Sequence, residues 1–186
     1  MIYFIIIAAV LLIILVIYLI LLHNKLVKLD LDIKKEYSNL DISLVKRSDL
    51  ITKLVETVKA YMEHEKDLLT KIVELRYKAV DLKDKNEFFK TENEISKLLN
   101  EVLVIAEDYP DLKASDNFIN LQNELSRVEE DLSSSRKLYN DAVLKYNNVY
   151  LMFPTKIFAR LIGYKKQEFF EAEEEEKQMP EINYKK

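Results

Sequence analysis

The chain has 186 residues, 49% hydrophobic and 32% charged, with a formal net charge of −4. That balance supports a buried core, excludes a chain disordered throughout, and offers no basic excess to attract nucleic acid. One glycine, three prolines, no cysteine and two histidines argue against many-stranded sheets, glycine-rich phosphate loops, disulfides, thiol chemistry and histidine-based metal sites.

Ile2 to Leu22 is an uncharged run of 21 residues. As a helix it extends roughly 31 Å, about the hydrocarbon thickness of a bilayer. Tyr3 and Tyr18 lie toward its two ends, where amphipathic rings are favoured. A cleaved signal peptide fits poorly. No Lys or Arg precedes the run, the run is too long, and His23-Asn24-Lys25-Leu26 is no cleavage site. Residues 1–23 therefore read as an uncleaved anchor whose first partner is a lipid bilayer. Lys25, Lys28, Lys34 and Lys35 follow the run and no basic residue precedes it. The positive-inside rule then puts the N-terminus outside and the rest of the chain in the cytoplasm.

From Ile33 the spacing is 4-3-4-3 through Tyr37, Leu40, Leu44, Arg47, Ile51, Leu54, Val58, Tyr61, Glu65, Leu68, Ile72, Leu75, Ala79 and Leu82. This is a helical seam of the bundle or coiled-coil kind, interrupted by Arg47 and Glu65. Those two read as edge positions, as a polar pair fixing register, or as a partner-binding spot. Ser48-Asp49 could cap a new helix, so the seam is either one helix or two with a break near Arg47.

Asp81 to Asn86 is a polar connection, with Asp84 and Glu87 at capping-box spacing. A second stripe runs through Phe88, Ile95, Leu99, Val102 and Ala106 until Tyr109-Pro110-Asp111 stops it. Ser115 or Asp116 caps the next helix, whose stripe is Phe118, Leu121, Leu125, Val128, Leu132, Ser135, Tyr139, Ala142, Tyr146, Val149 and Phe153. On it, Tyr139 and Tyr146 should pack in the core with hydrogen-bonded hydroxyls, and Arg136 should pair with a carboxylate such as Glu129 or Glu56. Phe153-Pro154 ends the helix. A short amphipathic piece, Thr155 to Leu161, stops near Gly163, a natural C-cap. Residues 165–186, with an acidic run from Glu171 to Glu176, read as a flexible tail.

The expected fold is all-α. An N-terminal transmembrane helix precedes an elongated antiparallel, up-and-down four-helix bundle over residues 24–164, with three long helices as the alternative.

Ordered blocks along the chain resemble the LemA family. They are Ser38-Asn39-Leu40-Asp41, Lys46-Arg47-x-Asp49-Leu50-Ile51, Leu54-Val55-Glu56-Thr57-Val58-Lys59 and Tyr61-x-x-His64-Glu65-Lys66. Glu107-x-Tyr109-Pro110-x-Leu112-Lys113-Ala114, Phe118-x-x-Leu121-Gln122, Arg136-x-x-Tyr139-Asn140-x-x-Val143, Tyr146-Asn147 and Phe153-Pro154 continue the series. The chain departs from the family with Tyr37 in place of a usual Trp, Ala60 in place of a frequent Gly, and Thr52-Lys53 in place of Pro-Asn. The family's Pro suggests a helix starting near Asp49, which favours four helices. The resemblance implies a single-pass protein of the bacterial cell membrane with a cytoplasmic helical domain, and it supplies no catalytic residues. Family genes often neighbour one for a membrane zinc metalloprotease, and a magnetosome-formation protein is similar to the family.

No chemistry-bearing constellation emerges from the residues. An inward-facing Glu-x-x-His pair fails because Tyr61 and Ile20 stand three residues before the two histidines, and His-Glu-x-x-His fails at Leu68. The chain reads as non-enzymatic, with no catalytic, cofactor-binding or metal-binding residue, and an unrecognised hydrolase as the weakest reading. The expected role is a membrane-anchored scaffold or adaptor that binds another membrane protein, such as a metalloprotease, or itself. The alternative is a self-assembling protein that remodels membranes or shapes organelles, with a second lipid contact near its C-terminus. Candidate partner or membrane contacts are the Tyr109-Pro110 corner and the stretch carrying Lys156, Phe158, Arg160 and Leu161.

Overall fold

The structure, a computed structural model, describes residues 1–82 and 84–170; the acidic run from Glu171 to Glu176 lies outside them. The chain is all-α, with no strand among the described residues. Its helices are α1 (Ile2–Val58), α2 (Lys66–Asp81), α3 (Lys85–Ile105), α4 (Pro110–Lys113), α5 (Asp116–Leu151) and α6 (Thr155–Ile162). They build two compact units, Met1–Asp41 with Ser135–Phe169, and Ile42–Ser134 with Phe170.

In the second unit, the end of α1 joins α2, α3 and the start of α5 around a core that includes Ile51, Leu54, Ile72, Ile95, Leu99, Val102 and Leu125. The break considered near Arg47 is absent, and α1 runs on to Val58. Magnitudes explain this. A helix cap contributes about 1 kcal/mol, whereas each fully buried Leu or Ile contributes roughly 1.5–3 kcal/mol. Carrying the helix through residue 47 keeps Leu44, Ile51, Leu54 and Val58 in phase on the buried side. The Ser48 hydroxyl is taken up by Arg76 Nε at 2.6 Å, on α2.

The turn comes at residues 59–65 and contains neither Gly nor Pro. The N–H groups of Tyr61 and Met62 both donate to the Val58 carbonyl at 2.9 Å. Met62 fills the core at this corner while Tyr61, the seam residue by spacing, faces solvent. Glu65 stands at the head of α2, outside any helical seam, with no capping bond from its side chain. The seam resumes at Ile72 and Ala79. Among the described residues the long helical stretches after the apolar run are the rest of α1, then α2, α3 and α5, with the break twelve residues later than Arg47.

Asp84 caps α3 by accepting the Glu87 N–H at 3.0 Å, as the spacing predicts. A 3₁₀ turn, Ala106–Asp108, ends α3, and Pro110 starts α4 at a position where its missing N–H costs nothing. Phe170 is buried in this unit, its ring 4.1 Å from that of Phe89 between centroids.

In the first unit, Leu26, Ile33 and Leu40 of α1 and Tyr139, Ala142, Val143 and Tyr146 of α5 supply the interior. Tyr37 meets Tyr139 edge-on at 6.0 Å, and His23 meets Tyr164 at the same centroid distance. As α1 residue numbers fall, α5 numbers rise, so the two helices are antiparallel. Gly163 ends α6 at φ +94°, in the left-handed region open to glycine. The chain then turns back along α5. Asn147 pairs with residue 167 through both faces of its amide, Nδ2 donating to the Gln167 carbonyl and Oδ1 accepting the Gln167 N–H, each at 2.9 Å. The Tyr139 hydroxyl donates to the Glu168 carbonyl at 3.0 Å. The stretch from 165 to 169, grouped by composition with the flexible tail, is therefore tied to α5 by three hydrogen bonds.

Candidate membrane and partner contact sites

The N-terminal half of α1 carries the most apolar segment of the chain. Its best 18-residue window has a mean hydropathy of 3.6 and is 0% buried. Among the described residues, α1 alone is long and apolar enough to cross a membrane. A core helix of a soluble protein passes the same test by composition but is covered by its neighbours. Here Ile5, Leu12, Ile14 and Ile17 are all more than half exposed, so no other described residues enclose the segment. Burial returns at Leu19 and Leu22, which are partly covered, and becomes complete at Leu26.

Arg47 is 1% exposed and lies in a cluster of side chains from three helices. Its guanidinium donates to the Glu92 carboxylate, to the Glu92 carbonyl at 3.3 Å, to Ser96 Oγ at 2.5 Å and to Glu129 Oε1 at 3.2 Å. Such burial rules out Arg47 as a surface contact for a partner. It fixes the register of α1, α3 and α5 against each other. Glu129, expected beside Arg136, is engaged by Arg47 instead.

Tyr109 packs half-buried against the core of the second unit, and Pro110 is exposed beside it. Lys113 pairs with Glu107 across this corner. Tyr109 is thus mainly a structural side chain, and Pro110 with the ion pair forms the accessible surface.

The α5–α6 corner is arranged differently from what composition suggests. Thr155 and Ala159 form the buried face of α6, and Phe158 is half-buried. Ile157, Leu161 and Ile162 face outward at 53%, 78% and 58% exposure. Met152 and Phe153 continue this apolar surface at 61% and 83% exposure. Phe153, assigned by spacing to the α5 seam, lies beyond the helix end at Leu151 and is on the surface. Lys156 and Arg160 are exposed one turn apart on α6. Spacing alone placed Phe158, Lys156, Arg160 and Leu161 on one short helix but could not show that Thr155 and Ala159 are its fully buried residues while Ile157, Leu161 and Ile162 face outward.

Two grooves lie on this surface among the described residues. One of about 260 Å³ in the first unit is lined by Asp32, Lys35, Glu36, Asp141 and Lys145 among others. The second, of about 330 Å³, lies between Lys46, Asp49 and Lys53 of α1 and Glu124 and Arg127 of α5. Lys35 and Asn39 hold the Glu36 carboxyl below its usual range. Burial pushes the Tyr139 and Tyr146 hydroxyls up to about 12, consistent with roles in the interior and not in proton transfer near neutrality. Among the described residues no group of three His, Asp or Glu side chains is placed to hold a metal ion.

A family model described as the LemA family matches residues 36–184. The chain belongs to the LemA family. A curated LemA family relative, Protein LemA of Metamycoplasma hominis, is 24% identical over 155 residues, which is 83% of this chain and 71% of that protein. The LemA match begins inside α1 at residue 36, so it spans both the Arg47 cluster and the α5–α6 corner while leaving out the apolar run.

Proposed function

We propose that the chain is a membrane-anchored, non-enzymatic scaffold or adaptor of the bacterial cell membrane. Residues 2–22 cross the bilayer, the N-terminus is outside, and the helical domain lies on the cytoplasmic side. The observation that carries this reading is an apolar helical segment with 0% of its central window buried, continuous with a helix whose later turns are packed. An unburied helix of this kind needs a nonaqueous environment. Lys25, Lys28, Lys34 and Lys35 on its C-terminal side support the orientation. Confinement to the membrane surface raises the effective concentration of the domain near other membrane proteins. Its long polar helix faces offer area for a contact with a second membrane protein, such as a membrane metalloprotease, or with another copy of the chain.

The test is to cross-link the full-length chain in its native membrane, purify it in mild detergent and identify what accompanies it. A stoichiometric membrane partner supports the adaptor role, and self-cross-links alone support a homo-oligomeric scaffold. Recovery of the chain from the soluble fraction, or retention of a Δ2–22 variant in the membrane fraction after alkaline extraction, overturns the assignment of the apolar run as the anchor.

A further inference from the structure

We infer that the α5–α6 corner is a second, interfacial membrane contact that rests in the headgroup layer of an anionic bilayer, beside the point where the N-terminal helix emerges. This inference rests on the anchor reading above and extends it. Three independent observations carry it.

The first is position. Tyr164, directly after α6, reaches His23 with its hydroxyl 3.3 Å from Nδ1. His23 is the first residue after the apolar run. The pairing of Tyr37 with Tyr139 on antiparallel helices gives the same answer. Moving 12 residues along each helix from that pair brings Leu151, the last residue of α5, level with Lys25, two residues after His23. The corner therefore lies at the end of the apolar run, within one compact unit.

The second is the inverted burial of α6. Its small side chains, Thr155 and Ala159, are buried and Phe158 is half-buried, whereas Ile157, Leu161 and Ile162 face out. A helix whose role is to cap a core buries its largest apolar residues. At about 100° per residue, Ile157 and Leu161 fall on one side of α6, and Lys156 and Arg160 on another. That is the arrangement of a helix lying in a membrane interface, with apolar side chains in the acyl boundary and basic ones at the phosphates.

The third is charge. Residues 2–29 and 142–167 contain no Asp or Glu, so all 32 acidic residues of the chain lie elsewhere. The same stretches carry Lys25, Lys28, Lys156, Arg160, Lys165 and Lys166, while Lys145 lines the groove with Asp32, Glu36 and Asp141. In a chain of net charge −4 this is a local basic excess, with Lys25 and Lys28 just after the apolar run on α1 and Lys156 and Arg160 on the α6 that Tyr164 ties to His23. Anionic phospholipid headgroups are its complement.

The chain has no cysteine, so an introduced one takes a nitroxide label at a single position. Full-length Val10→Cys, Leu144→Cys and Leu161→Cys variants are labelled and reconstituted into vesicles of phosphatidylglycerol and phosphatidylcholine. Accessibility to oxygen and to a water-soluble nickel complex is then read by electron paramagnetic resonance. The expected result is high oxygen and low nickel accessibility at position 10, the reverse at 144, and an oxygen-favoured but shallower value at 161. A nickel-accessible label at 161 with a buried label at 10 overturns the second contact and leaves the anchor standing. A label at 161 closed to both reagents shows that protein covers it and also overturns the inference. A nickel-accessible label at 10 overturns the anchor reading itself. In the Lys156→Gln/Arg160→Gln background, the label at 161 should move outward in phosphatidylglycerol-containing vesicles; an unchanged depth refutes the role given to the two basic side chains.

Discussion

Replacing Arg47 by Met tests whether the buried polar cluster holds the second unit together. The Glu92 side chain is 9% exposed and the Glu129 side chain 35%. Removing the guanidinium takes a buried ion-pair partner from Glu92, whereas Glu129 is open enough for water to replace the lost contact. Breaking a buried pair from one side costs about 3–5 kcal/mol. With a urea slope of about 2 kcal/mol per molar, the unfolding midpoint should fall by roughly 1.5–2.5 M. Arg47→Met/Glu92→Met, which removes both charges, should recover most of that loss, since a buried pair replaced by apolar residues is often neutral or stabilising. Glu129→Gln should cost less than about 1 kcal/mol. The assay is urea unfolding of the full-length chain in mild detergent, followed by far-UV circular dichroism, with the double-mutant cycle completed by Glu92→Met. A loss below about 1 kcal/mol for Arg47→Met, or a double variant as unstable as the sum of the singles, would refute the reasoning.

Three further outcomes follow from packing and titration. Phe170→Ala removes a buried ring packed against that of Phe89 and should cost about 3–4 kcal/mol in the same urea assay. Asp84→Ala removes the α3 cap and should cost about 1 kcal/mol, restored almost fully in Asp84→Asn. The Tyr139 hydroxyl is raised from 10.0 to about 12 by burial, so its stabilising share is complete below pH 10 and is lost as pH rises toward 12. Tyr139→Phe should therefore be less stable than the parent by about 1 kcal/mol at pH 8, where a hydrogen bond is lost. The deficit should narrow or reverse by pH 12, where the parent loses about 1–2 kcal/mol. Parallel curves across that range would exclude the tyrosine as the titrating group.

Periodic features were legible in the residues, and features made by distant pairing were not. The stripes through Ile51, Leu54 and Val58 and through Leu125, Leu132, Tyr139 and Tyr146 mark buried faces because helical repetition is local information. The Asp84 cap is equally local. The turn at 59–65 has no Gly or Pro to announce it, whereas Ser48-Asp49 offers a cap signal that Arg76 absorbs from another helix. Arg47 looks like an interruption until Glu92 and Glu129, 45 and 82 residues away, are brought to it. The Asn147 amide reads the backbone of an extended segment 20 residues on, a pairing with no sequence period. At the candidate contact sites, Lys156, Phe158, Arg160 and Leu161 were identifiable from amphipathicity. Exposed Phe153 was hidden in an apparent core stripe and exposed Met152 lay next to it, and the acid-free stretches flanking them were the available signal.

The continuity of α1 has a consequence for rotational phase. No loop intervenes between Leu22 and Leu26, so the azimuth of every side chain from 2 to 22 is inherited from the packed turns that follow. One residue inserted at 24 would rotate the entire apolar run by about 100° relative to Leu26 and Ile33, while seven would return it to within about 20°. Which neighbours the run presents its Ala8–Ala9 side to, and which it meets with Ile13 and Ile17, is thereby decided by how Leu26, Ile33 and Leu40 seat against α5. The helix works as a keyed shaft, and its orientation about its own axis is as much a part of the fold as its length.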